Sequence, residues 1–422
     1  MMIQALLIFV LMYALLLVLP KFRAFVALSA AILFVSLGIL PLEKVFSAVD
    51  WNVIMMIAGT MGVVFFFIES KMPSLLADII IEKRSNVKWA IISLALFAGI
   101  ISAFVDNVAT VLMVAPIAIT IAKKLNISPV SSIIAISISS NLQGAATLVG
   151  DTTSILLGGY ANLDFLDFFV YRAKPGLFWV VQICAIVATF VLFYLFRRDD
   201  RPINVKDKAV VNDYFPTILL GGTIVLLILA SFIPDKPGIT NGMICMALFV
   251  VGLTRELIAS RNYKLVKIIL KDIDYFTLML LAGLFIVIAG ITEAGVVGVI
   301  AQFFVKVSNN NLFLIYSLLV WASVFFSAFI DNIPYVATML PVVAGIASIL
   351  GIDPTLLYFG LLSGATLGGN LTPIGASANI AALGILRKEG YEVKAGEFMR
   401  ISVPFTLAAV TTGYVLIWLI WS

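Results

Sequence analysis

Two Asp-Asn dipeptides set in long apolar stretches are the residues of this sequence best suited to chemistry. The segment SAFVDNVATVLMVAPI contains Asp106 and Asn107, and SAFIDNIPYVATMLPV, 225 residues later, contains Asp331 and Asn332. A carboxylate near the centre of a bilayer costs roughly 2.5–3.5 kcal/mol on insertion scales, so an acid in such a place indicates a functional site. The chemistry open to these acids is the binding of a cation or a proton.

The composition predicts an all-α polytopic membrane protein. Of the 422 residues, 62% are hydrophobic and 12% are charged, and the mean hydropathy of +1.14 exceeds what a soluble fold could bury. The sequence contains no histidine, so carboxylates are left to carry protons near neutral pH. Only Cys184 and Cys245 are present, both far from the motifs, and no basic patch suggests a nucleic acid partner. Neither a metal cofactor nor any other cofactor is indicated.

Internal repetition organises the whole chain. Matched residues recur at offsets of 224 or 225, which indicates duplication. The matches include Ala58-Gly59 with Ala282-Gly283, Glu69 with Glu293, Ser102 with Ser327, Pro116 with Pro341, Gly144 with Gly369, Thr147 with Thr372, Gly150 with Gly375 and Ser154 with Asn379. The predicted domains are an N-terminal repeat over residues 1–196, a linker over 197–216 and a C-terminal repeat over 217–422.

Each half is expected to contain five transmembrane helices of about 20 residues. They are predicted at residues 2–19, 23–40, 51–69, 131–158 and 173–196, and at 217–233, 240–256, 275–291, 355–384 and 401–421. The N-terminal apolar run lacks a basic flank and a cleavage site, so we expect a retained first helix.

Two segments per half are predicted to be irregular. As a single helix, residues 87–123 would run roughly 55 Å, so a re-entrant hairpin with Asp106-Asn107 at its tip is expected, and residues 312–350 would form the second. The spans that follow contain clustered glycines and are expected to break near residues 144–151 and 368–375. Broken helices in corresponding positions of two halves are typical of a transporter binding site.

Five crossings per half would make the second repeat inverted relative to the first. Loops assigned to alternate sides place 22 of the 27 basic residues on one side and 5 on the other. The positive-inside rule makes the richer side cytoplasmic, with the linker there and both termini outside. The two Asp-Asn tips would then approach from opposite faces and meet at one site.

The predicted binding residues combine acids with neutral donors and acceptors. They are Asp106, Asn107, Asn141, Thr147, Asp151, Thr153, Asp331, Asn332, Thr372, Ser377 and Asn379, with Gly144, Gly150, Gly369 and Gly375 as backbone hinges. An alternative for Asp106 and Asp331 is N-capping of the second hairpin arm, alone or together with binding. Asp151 is matched by Ala376, and this asymmetric acid suggests a cation or proton site or a structural role. Glu69 and Glu293 lie at helix ends and are also explained by snorkelling, as the glycines are by helix contacts.

The three motifs together resemble the ion transporter superfamily, in the branch that contains arsenite permeases, the melanosomal P protein and a class of Na+/H+ antiporters. They are the two Asp-Asn segments and GGNLTPIGASANIAALGILRKEGYEVKAGEFMRISVPF. The resemblance covers essentially the whole chain and implies inverted repeats, a homodimer and an elevator-like movement. Antiporters of this kind carry a pattern met here by Asp106, Asn107, Asn141, Asp151 and Thr153, and arsenite permeases share the GASAN element.

The expected function is secondary active transport of a small inorganic solute through the plasma (inner) membrane, driven by protons or Na+. Arsenite or antimonite efflux is favoured; the alternatives are Na+/H+ antiport, with Na+ at Asp106 or Asp331, and a citrate or dicarboxylate carrier. The last is disfavoured because dicarboxylate carriers of the superfamily have Ser-Asn-Thr at the tips, and two extra carboxylates would repel the anion. Three further alternatives are an intramembrane aspartyl protease, a passive channel and a transporter with a separate ATPase partner, and no enzyme activity is expected.

Overall fold

The computed structural model of the chain describes residues 1–84, 86–125, 127–198, 200–202, 209–258 and 263–422. Within these residues the architecture is helical, apart from one β-hairpin. Its two strands have two residues each, and β1 (Val170–Tyr171) pairs antiparallel with β2 (Lys174–Pro175). The prediction of an all-α membrane protein is confirmed. Much of the predicted linker, namely residues 199 and 203–208, lies outside the described residues.

The first half of the chain forms ten α-helices in its described residues. They are α1 (Met2–Val18), α2 (Arg23–Ser36), α3 (Val45–Ala48), α4 (Trp51–Glu69), α5 (Met72–Glu82), α6 (Val87–Ser102), α7 (Asn107–Leu125), α8 (Val130–Gly144), α9 (Thr152–Ala161) and α10 (Leu177–Leu195). Short 3-10 helices occupy Pro20–Phe22, Leu42–Lys44 and Phe165–Phe168.

The second half forms a further ten among the residues described. They are α11 (Phe215–Ala230), α12 (Thr240–Ile258), α13 (Tyr263–Asp272), α14 (Tyr275–Glu293), α15 (Val296–Val307), α16 (Leu312–Ser327), α17 (Asn332–Leu350), α18 (Thr355–Gly368), α19 (Ser377–Lys388) and α20 (Ala395–Trp421). A 3-10 helix at Gly369–Leu371 follows α18.

Within the described residues, seven helical segments are long and apolar enough to cross a membrane, and the number is nine if each of two bent pairs counts as one span. The seven are Trp51–Glu69, Asn107–Leu125, Leu177–Leu195, Thr240–Ile258, Tyr263–Glu293, Asn332–Leu350 and Ala395–Trp421. The bent pairs are Met2–Val18 with Pro20–Ser36, at 115°, and Val296–Val307 with Leu312–Ser327, at 118°. The remaining predicted crossings correspond to shorter or broken helices.

Most predicted helices are found, with corrected ends and several additions. The second predicted span ends at Ser36 rather than residue 40, and the last begins at Ala395 rather than residue 401. Pro404 lies inside α20. Helix α11 begins at Phe215, inside the predicted linker. Four helices were not predicted because they are only 4 to 12 residues long, too short for a transmembrane span: α3, α5, α13 and α15.

Each segment predicted to be a re-entrant hairpin forms two helices joined by a short turn, and its re-entrant character stays a prediction. Helix α6 ends at Ser102 and α7 begins at Asn107, while α16 ends at Ser327 and α17 begins at Asn332. The predicted breaks are also present. Helix α8 ends at Gly144 and the chain resumes as α9 at Thr152.

Corresponding helices of the two halves pack in corresponding pairs. Helix α4 packs on α12, and α14 packs on α2. A Cβ atom added at Gly283 of α14 would lie 2.8 Å from the Ala27 carbonyl carbon of α2, so the backbones of that pair approach closely. Both pairs contribute to one hydrophobic core that also contains α8, α9, α17 and α18. The irregular turns and breaks are thus held among packed helices.

Candidate functional site

The first Asp-Asn turn is shaped by its aspartate. Asp106 Oδ1 accepts hydrogen bonds from the backbone N–H groups of Val108 (3.0 Å) and Ala109 (3.1 Å), so the carboxylate caps α7. Asp331 Oδ1 likewise accepts from Ile333 N–H at 3.1 Å and caps α17. The capping role considered for both acids is therefore real. It occupies one oxygen of each carboxylate and leaves the charge in place.

The second feature of the site is the seam between each helix break and the neighbouring hairpin turn. The Thr147 hydroxyl donates to the Ala103 carbonyl, and the Thr372 hydroxyl donates to the Ala328 carbonyl, at the same offset of 225 residues. A Cβ added at Gly150 would lie 2.7 Å from the Gly144 carbonyl oxygen. These two threonines therefore tie break to turn, and glycine is required for the close approach.

The two remaining predicted hinge glycines form the same seam in the second half. A Cβ added at Gly375 would lie 2.6 Å from the carbonyl oxygen of Gly369 and 2.7 Å from that of Ser327. The seam is closed by Asn379, whose side-chain amide donates to the carbonyl oxygens of Gly369 and Thr372, both at 3.2 Å. Both helix breaks are thus fixed by hydrogen bonds and not left as loose loops.

Asp151 lies between the two halves. Its Oδ1 accepts from Thr152 N–H at 2.8 Å and caps α9, while its Oδ2 accepts from the Thr153 hydroxyl at 2.8 Å. The side chain of Asn332, from the other Asp-Asn pair, reaches the same Oδ2 at 3.5 Å. The carboxylates of Asp106 and Asp331 are both near enough to interact electrostatically with Asp151. The two Asp-Asn turns therefore lie close together beside Asp151, whereas their entry from opposite faces of the membrane stays a prediction.

Asp331 differs from Asp106 because it has a cationic partner. Nη1 of Arg23, the first residue of α2, lies 2.9 Å from Asp331 Oδ2, and the two side chains are only 15% and 10% exposed. The Ser377 hydroxyl donates to the same oxygen at 3.3 Å. Helix α1 also holds this hairpin, since the Tyr13 hydroxyl donates to the Pro334 carbonyl at 2.7 Å. The charge of Asp331 is thus largely neutralised.

A buried amide network joins the halves behind the acids. Asn107 Nδ2 donates to Asn141 Oδ1 at 2.9 Å, and Asn141 Nδ2 donates to the Thr366 carbonyl at 2.7 Å and to Asn370 Oδ1 at 3.1 Å. Asn370 Nδ2 in turn donates to the Ile138 carbonyl at 2.8 Å. Because buried amides are costly unless satisfied, this network fixes the two broken helices relative to each other.

A cavity of about 400 Å³ opens beside these residues. It is lined from α4 by apolar side chains, Met61, Val64, Phe65 and Ile68, and from the turns and breaks by polar ones. Four carboxylates line it: Asp106, Asp151, Asp272 and Asp274. Asp274 also caps α14 through a 3.0 Å hydrogen bond from Thr277 N–H. Four acids facing one small cavity favour occupancy by a cation and disfavour a bare polyanion.

The predicted site residues divide into two groups. Those that line the cavity are Asp106, Asn107, Asp151, Asn332 and Ser377. Those that support the lining through hydrogen bonds are Asn141, Thr147, Thr153, Asp331, Thr372 and Asn379. At the start of α9 it is Thr152, not the predicted Thr153, that lines the cavity.

Besides Thr152, sequence reasoning missed four polar residues of the site. Asp272 and Asp274 follow a lysine-rich segment and read as loop charges, although the Asp-x-x-Thr spacing at Asp274 signals a helix cap. Asn370 lies inside the quoted GGNLTP motif and could have been included. Arg23 was counted only as a loop charge, and nothing in the local sequence links it to Asp331.

Comparison with known proteins gives a family and a fold. The family described as CitMHS, citrate transporter, matches residues 13–364. An uncharacterized transporter of Mycobacterium tuberculosis is 30% identical over 418 residues, which are 94% of this chain and 93% of the relative. The P protein of Homo sapiens is 26% identical over 454 residues, which cover 88% of this chain and 54% of that longer protein.

Two solved structures share the fold. The YdaH transporter of Alcanivorax borkumensis has a TM-score of 0.59 at 15% identity, with 95% of this chain and 97% of that chain covered. MtrF of Neisseria gonorrhoeae, described as illuminating a class of antimetabolite efflux pumps, has a TM-score of 0.55 at 14% identity, with 89% and 83% covered. At these identities the likeness shows the fold alone, which is that of a polytopic membrane transporter.

Proposed function

Since this chain belongs to the CitMHS citrate transporter family, we propose that it is a secondary active transporter that couples H+ or Na+ movement to that of a small inorganic solute. The observation that carries the proposal is the cavity lined by Asp106, Asp151, Asp272 and Asp274 between the two Asp-Asn turns. Acids in a transmembrane setting are costly and are typical of ion and proton pathways. The family is one of transporters, so the protein is not an enzyme.

Asp106 and Asp151 are the proposed carriers of the coupling cation. Both line the cavity, and the Thr153 hydroxyl and the Asn332 amide contribute polar atoms around Asp151. Asp331 is a weaker candidate than the sequence suggested, because Arg23 already neutralises it. Direct Na+ binding is therefore expected at Asp106 and Asp151 rather than at the two turn aspartates equally.

Arsenite or antimonite is the proposed solute. As(OH)3 is neutral and carries three hydroxyl groups, which match the amides of Asn107 and Asn332 and the Ser377 hydroxyl on the cavity wall. An acid beside these groups would carry the exchanged proton. Neutral solutes avoid the repulsion that four carboxylates exert on an anion.

Two other functions have a specific observation in their favour. The pair of carboxylates Asp106 and Asp151 fits Na+/H+ antiport, in which Na+ and protons compete for the same oxygens. The family description favours citrate. In this cavity, with Arg23 engaged by Asp331, citrate would have to be accompanied by cations that offset its charge.

The proposed arrangement in the membrane follows from the charges and the repeat. We place the lysine-rich end of the molecule, next to Asp272 and Asp274, in the cytoplasm, so that the cavity is open inward. The two hairpins are proposed to be re-entrant and to enter from opposite faces, as expected for inverted repeats. Both termini would lie outside the inner membrane, and the protein is expected to be a homodimer.

Flux into proteoliposomes with internal pH recorded tests the function. Arsenite, antimonite, Na+, Li+ and citrate with or without Mg²⁺ are supplied in turn under an imposed proton or Na+ gradient. We expect arsenite or antimonite flux that changes internal pH or depends on Na+. If none of these solutes moves or changes internal pH, the proposed function is wrong.

Replacing Asp106 with Asn separates the alternatives. Asn can still accept the hydrogen bonds of Val108 and Ala109, so the turn is retained while the charge is lost. In an antiporter the Asp106→Asn variant should abolish all exchange, whereas in an arsenite permease downhill flux of the neutral solute should persist without proton coupling. The matched control is Asp353→Asn, which alters a carboxylate that caps Thr355 N–H at 2.9 Å outside the cavity. That control should retain the parent flux.

A further inference from the structure

A second cavity, of about 630 Å³, lies at the opposite ends of helices that line the acidic cavity. Its walls come from α3, α9, α14 and α17 and from Asp50, the residue that caps α4. The lining includes Asp50, Tyr160, Thr292 and Glu293 among apolar side chains. None of these residues belongs to the site described above.

Four helices line both cavities, three of them running from the acidic cavity to the second cavity. On α9 the acidic cavity is lined at Thr152 and the second cavity at Leu156, Gly159 and Tyr160. On α17 the order is Asn332 and Ile333, then Ala337, Leu340 and Pro341, and on α14 it is Thr277, then Phe285 through Glu293. Helix α4 runs the other way, from Asp50 at the second cavity to Met61 and Ile68 at the acidic one. Both cavities therefore lie along the same group of four helices.

The stretch between the cavities is short and apolar. It contains Ile57 of α4, Ile155 of α9, Leu284 of α14 and Val336 of α17, all of which are buried in the same core. On α9 the gap from Thr152 to Leu156 is four residues, or about 6 Å. The gap on α14, from Thr277 to Phe285, is eight residues, or about 12 Å, so one to two turns of these helices separate the lining of the two cavities.

The charges of the second cavity point to a cation. Glu293 is paired with Lys44 at 2.9 Å, so its charge is offset. Asp50 uses Oδ1 to cap α4 through Val53 N–H at 3.0 Å. Its Oδ2 lies close to Gly159, where an added Cβ would approach it to 2.7 Å. Asp50 is therefore the carboxylate of this cavity whose charge is free to attract a cation.

We propose that the second cavity is the mouth of the transport pathway on the other side of the membrane, and that Asp50 attracts the coupling cation there. The inference rests on the proposed transport function, since it assigns the far end of the same pathway. The ligand class is a small monovalent cation, H3O+ or Na+, that reaches Asp50 before it reaches Asp106 and Asp151.

Single cysteines labelled with membrane-impermeant methanethiosulfonates test the proposal in the full-length protein. Met61→Cys reports on the acidic cavity, Ala289→Cys on the second cavity and Ile57→Cys on the apolar stretch between them. The parent chain gives the background, because Cys184 and Cys245 are both fully buried. We expect Met61→Cys to react from one side of the membrane only, Ala289→Cys from the other side only, and Ile57→Cys from neither. Labelling of Met61→Cys and Ala289→Cys from the same side would overturn the proposal.

The charge of Asp50 is tested at Ala289→Cys by comparing a cationic reagent with an anionic one. The cationic reagent should react faster. Asp50→Asn should lower the ratio of the two rates by about 25-fold, because one unit charge at about 4 Å in water changes each rate by about fivefold and in opposite directions. Asn preserves the cap on α4. Asp353→Asn, which removes a carboxylate that does not line this cavity, serves as the control that should leave the ratio unchanged. A ratio unchanged by Asp50→Asn would refute the role of Asp50. Labelling does not require flux, so a failure of this inference is distinguishable from a failure of the proposed function.

Discussion

The ion pair between Arg23 and Asp331 predicts a large and non-additive effect on stability. The two charges are 2.9 Å apart and the side chains are 15% and 10% exposed, so each single substitution leaves the other charge buried without its partner. Removing one member of such a pair typically costs about 3–5 kcal/mol. We therefore expect Arg23→Met and Asp331→Asn each to lower the free energy of unfolding by about 3 kcal/mol. Asn keeps the cap on Ile333, so this figure reports the charge.

The double variant should be less damaging than the sum of the two. With both charges gone, the remaining losses are the hydrogen bonds from Arg23 to Leu16 and from Ser377 to Asp331, worth about 1 kcal/mol each. We expect the double variant to be more stable than additivity predicts by at least about 2 kcal/mol. Denaturant unfolding in detergent micelles, followed by tryptophan fluorescence, gives the four free energies of the cycle.

An exposed ion pair provides the control for that cycle. Lys123 and Glu389 lie 2.5 Å apart, with side chains 62% and 32% exposed, and their coupling should stay below about 1 kcal/mol because water screens them. If Arg23 and Asp331 were additive within about 0.5 kcal/mol, like the control, their contact would contribute nothing specific and the reasoning about a neutralised Asp331 would fail.

Two further predictions concern the first helix break, at Gly150, and the acidic cavity, at Asp274. Gly150→Ala should destabilise the protein by about 1–3 kcal/mol, because its Cβ would lie 2.7 Å from the Gly144 carbonyl oxygen. The control is Gly221→Ala, which has open space around it and should be neutral or slightly stabilising. Thermal unfolding measures both. Asp274→Asn should raise the half-saturating concentration of the coupling cation in flux assays by about fivefold, while the cap on Thr277 is kept; an unchanged value would exclude Asp274 from the cation's route.

Features fixed by local chemistry could be predicted from the sequence. The turns after Ser102 and Ser327, and the breaks after Gly144 and Gly368, depend on short motifs whose glycine, proline and capping residues act within a few positions. Duplication added support, because a motif found twice at one offset is unlikely to arise by chance. The candidate acids at both turns and at Asp151 were therefore found, and so was their convergence.

Features fixed by tertiary contact could not be predicted in this way. Arg23 and Asp331 are 308 residues apart, and the amide of Asn370 meets a carbonyl 232 residues away at Ile138. No periodicity or propensity encodes such pairs. The short helices α5, α13 and α15 were missed for a related reason: at 10 to 12 residues they depend on packing against longer helices, and isolated helices of that length are marginal.

The two halves of the site have similar backbones but different charges, and this difference makes the two Asp-Asn turns inequivalent. Thr147 and Thr372 make the same hydrogen bond in both halves, yet Asp151 is matched by the uncharged Ala376. Asp331 is matched by Asp106, but within the described part of the chain Asp331 alone of the two has an arginine partner. A symmetric pair of turns with equal charges would offer two equivalent cation positions. In the transport that we propose, Arg23 and Asp151 would bias the cation toward the first half, beside Asp106, so we expect the electrostatic asymmetry, and not the repeat itself, to determine where coupling takes place.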